Sequence, residues 1–177
     1  MRNRMMQGAI ALVVGMVVLA GASTSPAKSL PPDARLPDAV TSALRAKYPK
    51  AVIERIDVLE ENGVNVYDIE FAVGKSEHET DIAEDGTMLE FTNVIPLKDI
   101  PAAPLKTIRE ATPKGSRYGR IERIEIDYAT RDGKVVKLPA TVIRYAAEMM
   151  KKGQQAEIIV NADGSVSEAP SWVPATK

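Results

Sequence analysis

Cysteine is absent from this 177-residue chain, and histidine and tryptophan each occur once. The absence of cysteine excludes disulfides, thiolate nucleophiles and cysteine-based metal sites. A histidine-based zinc site or a serine–histidine–acid triad would have to use His78, the single histidine. No serine lies in a nucleophile-elbow setting, and no glycine-rich loop could hold a phosphate. The sequence therefore predicts a protein that is not an enzyme and that has no metal, cofactor or catalytic residue.

The N-terminus has the features of an export signal. Arg2 and Arg4 precede an apolar stretch from Ala9 to Ala20, and Ala20-Gly21-Ala22 supplies small residues before a cleavage site at Ser23. The stretch is shorter than the roughly 18 to 20 residues that span a bilayer, which disfavours a retained membrane anchor. We expect residues 1–22 to be a signal peptide and the chain to be exported, either to the periplasm or outside the cell, with no membrane span after cleavage.

The chain also lacks an excess of basic residues. It has 23 Lys and Arg against 24 Asp and Glu, and loss of Arg2 and Arg4 leaves a net charge near −3. A nucleic-acid binder needs a basic face to neutralise phosphates, and no such face is visible. The composition therefore excludes nucleic acid as a partner.

The second half of the chain repeats the first. The segment 53–58 (IERIDV) returns as 121–126 (IERIEI), and Asp85-Gly86 returns as Asp163-Gly164 at the same distance from a preceding tyrosine. The differences in spacing fall in connections, as expected for loops. The predicted organisation is a signal peptide at 1–22, a disordered leader at 23–35, a first unit at 36–95, a second unit at 96–169 and a flexible tail at 170–177.

Each unit is predicted to be a helix followed by three strands. The first helix starts at Leu36-Pro37 and stops at Pro49, and the second lies between Ile100-Pro101 and Pro113. The apolar period then changes to two, which indicates strands. The expected strands are 52–58, 67–71 and 78–82 in the first unit, and 121–128, 141–149 and 156–160 in the second. Asp132-Gly133 predicts a longer hairpin in the second unit, with strands extended by 134–138. The fold class is therefore α+β, with two tandem helix-plus-three-stranded antiparallel units, the helices on one face of the sheet and the other face open.

These motifs resemble the PepSY-like, beta-lactamase-inhibitor-like domains of bacterial exported proteins. The resemblance rests on Leu36-Pro37, Tyr48-Pro49, the strand Tyr67-Asp68-Ile69-Glu70 and Asp85-Gly86, and it extends in two copies to about Ala169. The second copy departs from the pattern, with Thr112-Pro113 in place of Tyr48-Pro49. The resemblance implies tandem units, a concave open sheet and non-enzymatic protein binding, in a family where inhibition of a beta-lactamase is known and an inhibitory role toward thermolysin-type metallopeptidases is proposed. No inhibitory residue of the family transfers to a position in this chain.

The open face is the candidate binding site. If Tyr67, Ile69 and Phe71 face the helix, alternate residues of the same strands face outward, while His78 falls on the covered side as a half-buried residue. The outward set is acidic in the first unit and mixed in the second. The candidate binding residues are Arg55, Asp57, Asp68, Glu70, Glu77, Glu79, Asp81, Arg123, Glu125, Arg144 and Glu157.

Two functions remain open beside simple solvation of this face. The first is docking of an envelope protein or peptide, with inhibition of a peptidase or another envelope enzyme as one such role; it would use acids for steering and apolar anchors chosen from Ile53, Ile121, Ile159 and Trp172. The second is binding of a cation or a small cationic ligand by the acids of the first unit. Strand-borne carboxylates on a flat sheet converge poorly on calcium, which disfavours a calcium site.

Overall fold

The structure is a computed structural model, and it describes residues 28–175. The expected signal peptide at 1–22 lies outside the described residues. The first half contains Lys28–Leu30 (β1), Asp38–Lys47 (α1), Val52–Glu61 (β2), Val64–Val73 (β3), Ser76–Ala83 (β4) and Met88–Val94 (β5). The second half contains a 3-10 turn at Leu97–Asp99, then Ala102–Ala111 (α2), Arg117–Arg131 (β6), Lys134–Lys151 (β7), Gln154–Asn161 (β8), Val166–Glu168 (β9) and Val173–Pro174 (β10).

All ten strands within residues 28–175 belong to one antiparallel sheet. The order is β1-β2-β3-β4-β5-β6-β7-β8-β10, with β9 also paired to β8. Strands make up 57% of residues 28–175 and helices 16%, so the sheet dominates the fold. The predicted fold class of two helix-plus-three-stranded units is wrong, because α1 precedes four strands, α2 precedes five, and the two halves share a single sheet.

The strand that joins the halves is β5, which the sequence prediction missed. It pairs with β4 on one side and with β6 on the other, where Glu90 lies opposite Ile126. An unpaired third strand would leave a free edge in each unit, and β5 removes both edges at once. Its register with β4 is interrupted by a bulge after Asp81, which obscures the alternation that a regular strand would show in the sequence.

The two helices are as predicted, and both cover the same side of the sheet, here called the helix face. In α1, Val40 and Leu44 are buried against Ile56 and Phe71 of the sheet. In α2, Ile108 belongs to a second core that is formed mainly by β7 and β8. Burial of an apolar stripe against a sheet is the main source of stability for such short helices.

The two terminal segments are more ordered than predicted. Residues 28–30 of the expected leader pair with β2, and Leu30 lies opposite Ile56. In the expected tail, Val173–Pro174 pair with β8, and Trp172 packs against the core beneath α2. Proline-rich, polar composition indicated disorder, but pairing at a sheet edge uses backbone groups and is insensitive to that composition. The boundary expected between residues 95 and 96 falls in the connection after β5 and stays a prediction.

The longer hairpin predicted at Asp132-Gly133 is present, and its outer part folds over the sheet. Residues 128–137, here called the arm, form the paired ends of β6 and β7 beyond a register shift after Ile126. At the tip, the Gly133 amide donates to the Asn62 carbonyl at 2.7 Å. The Asn62 side-chain amide donates to the carbonyl and hydroxyl oxygens of Thr130, both at 3.0 Å. The arm therefore reaches the turn between β2 and β3.

Candidate functional site

Most of the predicted binding residues lie on the face opposite the helices, here called the acid face. Cross-strand pairing places Asp57 beside Asp68, and Arg55 beside Glu70. It also places Glu148 beside Glu157. The predicted residues found on this face are Arg55, Asp57, Asp68, Glu70, Glu77, Glu79, Asp81, Arg144 and Glu157.

Arg123 and Glu125 lie on the helix face, so their predicted placement is wrong. Arg123 is paired with Tyr145, whose ring belongs to the core under α2. Glu125 is paired with Phe91 and forms an ion pair with Arg123. The cause is a β-bulge: it follows Ile53 in the first half but precedes Ile121 in the second. Because side chains alternate along a strand, one extra residue moves all that follow to the other face.

The expected apolar anchors are not available on the acid face. Ile53 and Trp172 pack against the two helix-face cores, and Ile121 is part of one of them. Ile159 does lie on the acid face, but it is 1% exposed in a cluster with Ile124, Ile126 and Ala146. The site therefore presents charge with little apolar surface at which a partner could be anchored.

Several acid-face residues were missed by the sequence prediction. Glu90 comes from β5, and Glu122 from the strand whose facing was misassigned. Arg120 forms ion pairs with carboxylates of both halves of the sheet. Its Nε lies 2.5 Å from Glu122 Oε1 on β6, and its Nη2 lies 3.5 Å from Glu79 Oε2 on β4. If the bulge had been placed before Ile121, alternation along the strand would have assigned Glu122 to the acid face. The missed carboxylates on this face are Glu61, Glu90, Glu122 and Glu168.

Four carboxylates form a row across neighbouring strands. Asp57, Asp68, Asp81 and Glu90 are direct cross-strand partners on β2, β3, β4 and β5, and we call them the acid row. Adjacent strands are about 4.8 Å apart, so each carboxylate has a like charge as its nearest cross-strand neighbour. Like charges directly opposite each other destabilise a sheet. Such an arrangement is therefore unfavourable for the fold unless something positive offsets it.

Two arginines act on the acid row, Arg55 on Asp57 and Asp68 and Arg144 on Glu90. Arg55 donates through Nη1 to Glu70 Oε1 at 2.7 Å and through Nε to Asp57 Oδ2 at 2.7 Å, and Ser29 of β1 donates to the other oxygen of Asp57. Asp57 is thus well satisfied at one end of the acid row. In contrast, Asp68 Oδ1 and Glu79 Oε1 have no hydrogen-bond partner among residues 28–175. These two buried acceptors can accept hydrogen bonds from a ligand.

The carboxyl groups of the site are shielded from solvent, and this burial raises the pKa of several of them. Asp68, Glu79, Glu90 and Glu122 are each between 1% and 7% exposed. Burial raises the pKa of Asp68 to about 7 although Arg55 opposes the shift, and burial raises the pKa of Glu90 to about 8 although Arg144 opposes it. Burial and then repulsion by Glu90 raise the pKa of Asp81 well above its usual range. At neutral pH Asp68 and Glu90 therefore retain protons in part, and an incoming cation could displace them.

A pocket opens between the acid row and the arm. Its polar side is formed by Asp81, Glu90 and Thr130, and its apolar side by Leu89, Ile126, Tyr128 and Ala129. The arm is held in place there by packing of Tyr128 and Val135 on a small cluster of Val64, Val66, Ala83 and Leu89. The longer hairpin predicted at Asp132-Gly133 thus supplies one wall of the pocket.

His78 lies on the helix face and is half buried, as predicted. Its ring stacks on Tyr48, Phe71 and Phe91, with centroid distances of 5.4 to 5.9 Å.

Within residues 28–175, no group of three or more His, Cys, Asp or Glu side chains is arranged to hold a metal ion. Neither helix described is long and apolar enough to cross a membrane.

No protein-family model and no curated protein matches this chain. Solved structures do resemble it. A putative periplasmic protein from Bacteroides eggerthii superposes with a TM-score of 0.58 at 15% identity, covering 80% of this chain and 91% of that one. A DUF2874 family protein from Bacteroides uniformis gives 0.55 at 13% identity, covering 81% and 94%. A BLIP-like protein from Bacteroides fragilis gives 0.49 at 16% identity, covering 81% and 91%. At these identities the first two matches show that the fold is shared with other bacterial proteins.

Proposed function

We propose that this protein is an exported, non-enzymatic binding module whose acid face takes a basic segment of another envelope protein. The observation that carries the proposal is the acid row, in which four carboxyl groups are held side by side on neighbouring strands. A partner with Lys or Arg side chains would offset this repulsion, and it would be steered by the field of the face. Inhibition of a peptidase or another envelope enzyme is one role that such docking could serve.

The expected anchors Ile53, Ile121, Ile159 and Trp172 are not exposed on the acid face, which favours a charge-driven complex. Binding of that kind associates quickly, depends on salt and has modest affinity. The fold shared with a putative periplasmic protein supports location in the envelope. The tandem duplication and the PepSY-like and BLIP-like kinship belong to the same proposal. They are supported by the order of a helix followed by a run of antiparallel strands, which occurs in both halves of the described residues.

The proposal predicts that neutralising the acid face weakens binding of a basic peptide. We expect a fluorescent twelve-residue peptide of alternating Lys and Gly to bind the purified protein, as measured by anisotropy at low salt, and to lose about tenfold in affinity between 20 and 200 mM salt. The triple change Glu77→Gln, Glu79→Gln and Asp81→Asn should weaken binding at low salt by at least tenfold, mainly through a slower association rate.

A matched triple change tests whether net charge alone is responsible. Asp38→Asn, Asp99→Asn and Glu110→Gln remove the same charge from exposed positions at or near the helices. This control should change the affinity by less than about twofold. Equal effects of the two triple variants would overturn the proposal. Tight binding of spermidine that is abolished by the acid-face triple at every salt concentration, without peptide binding, would favour the alternative function, a binder of small cationic ligands.

A further inference from the structure

The arm, residues 128–137, lies over part of the acid row and leaves almost no space above it. The cavity between them is lined by Asp81 and Glu90 on the sheet and by Tyr128 and Thr130 on the arm. Its volume is about 20 Å³, which is room for about one water molecule. A basic side chain of a partner therefore cannot reach Asp81 or Glu90 while the arm is in this position.

Few contacts hold the arm in place. At its tip the Gly133 amide donates to the Asn62 carbonyl, and the Asn62 side chain donates to two oxygens of Thr130. Tyr128 and Val135 are half-buried on a small apolar cluster. Of the ten residues of the arm only Thr130 is buried, and six are exposed. A segment with so little buried surface opens at a lower free energy than the core of its domain.

The ladder between β6 and β7 is interrupted at the base of the arm. Between the last pair of the main ladder and the first pair of the arm, Asp127 of β6 alone stands opposite residues 138–141 of β7. We call Asp127 and residues 138–141 the hinge. Pro139 has no amide hydrogen to donate, and residues 139–141 are exposed. A break of this kind lets the hairpin beyond it bend relative to the sheet.

The arm is also a basic segment of the chain. Its one acid is Asp132, and its basic residues are Arg131, Lys134 and Lys137. The charges that act most on Asp81 are those of the carboxyl groups of Glu90, Asp68, Glu61 and Glu79. The arm thus has the charge that we propose for the partner segment, and it lies where that segment would bind.

We infer that the arm is a lid that competes with the basic partner segment for the acid row, and that it must swing about the hinge before the partner can contact Asp81 and Glu90. This inference rests on the proposed function, because the partner is the one described there. The affinity for the partner is then set by the fraction of molecules in which the arm is open. The longer hairpin of the second half therefore regulates binding.

A disulfide between the arm and the sheet tests whether opening is needed. The chain has no cysteine, and Asn62 Nδ2 lies 3.0 Å from Thr130 Oγ1, so the side chains of Asn62→Cys and Thr130→Cys would be neighbours. We expect the oxidised double variant to bind the fluorescent Lys and Gly peptide about tenfold more weakly than the same protein after reduction. Mass spectrometry would confirm the disulfide, and the original protein should bind equally with and without reductant.

The single change Asn62→Gly releases the tip of the arm. Glycine keeps the φ of +49° that Asn62 adopts and removes both side-chain hydrogen bonds to Thr130. We expect the peptide to bind at least about threefold more tightly, because the open fraction increases. In the control Asn65→Ala, the lost hydrogen bond goes to Glu84 and not to the arm, so the affinity should change by less than about twofold. Equal effects of the two changes would contradict the inference.

Hydrogen exchange measured without peptide tests the opening itself. The Gly133 amide should exchange at least about tenfold faster than the amides of β3, and faster still in Asn62→Gly. Exchange of Gly133 at the rate of the β3 amides would show that the arm opens only when the whole domain unfolds, which overturns the inference.

The peptide measurements distinguish failure of the lid from failure of the proposed function. If the oxidised and reduced forms of the double variant bind the peptide equally, the lid is overturned while charge-driven docking stands. If no form of the protein binds the peptide, Asn62→Gly included, the proposed function fails and the lid fails with it.

Discussion

Replacing Glu61 by glutamine is expected to stabilise the protein at pH 8 by about 2 kcal/mol and to have an effect below about 1 kcal/mol at pH 5. Glu61 ends β2 beside the turn on which the arm docks, and it is 4% exposed. Burial raises the pKa of this carboxyl to about 7, and no other cause contributes to the shift. Its Oε2 has no hydrogen-bond partner among residues 28–175. Ionisation therefore places an uncompensated charge in a shielded site.

The sign of the pH dependence follows from the direction of this shift. The pKa of Glu61 in the folded protein is higher than in the unfolded chain, where it is near 4.5. The unfolded chain thus binds fewer protons between pH 4.5 and 7, and the stability contributed by Glu61 is lost as the pH rises through that range. Glutamine cannot ionise, so the variant escapes this loss.

Urea unfolding at pH 5 and pH 8, at constant ionic strength, would measure the effect. Glu60→Gln serves as the control, because Glu60 is the exposed neighbour on the same strand. We expect that variant to change the free energy of unfolding by less than about 0.5 kcal/mol at either pH. Equal stabilisation by Glu61→Gln at both pH values would show that burial of the ionised carboxyl is not the cause.

The elements of this fold that depend on local chemistry could be predicted from the sequence. Prolines placed both helices, and Asp132-Gly133 placed a hairpin turn. The half-buried position of His78 followed from alternation along its strand. Each of these signals involves residues close together in the chain, where the local pattern determines the conformation.

The errors arise where one residue changes the geometry without a compositional signal. The repeated segments 53–58 and 121–126 are nearly identical, yet Arg55 lies on the acid face and Arg123 on the helix face. The difference is the position of a bulge relative to the first isoleucine of each segment. A bulge adds one residue and reverses the facing of all that follow, and nothing in these side chains reveals where it falls.

Long-range pairing accounts for the remaining differences. The acid row includes Glu90, which β5 places beside Asp81. The pocket is formed with the arm, whose tip contacts Asn62. Those contacts join residues far apart in the sequence. The acidic character of the face was predictable from Asp57, Asp68 and Asp81. The burial of these carboxyl groups was not.

The largest loss of stability is expected from Gly86→Ala, at about 3 kcal/mol or more. Gly86 lies in the turn between β4 and β5, and its φ of +88° is in the region that residues with a side chain rarely adopt. A Cβ built there would come within 2.9 Å of the Ala39 carbonyl oxygen in α1. Backbone cannot move aside as a flexible side chain can, so the turn and the helix would have to separate.

Two other glycines allow the conformational strain and the clash to be separated. Gly74 has a φ of +67° and open space around its Cβ position, so Gly74→Ala should show only the conformational cost, about 1 kcal/mol. Gly164, at φ +91°, would bring its Cβ within 3.2 Å of the Ala103 backbone in α2, so Gly164→Ala should fall between the other two variants. Urea unfolding of the three variants at one pH tests this order. Equal losses would mean that the approach of each turn to its helix does not contribute, and that positive φ alone accounts for the need for glycine.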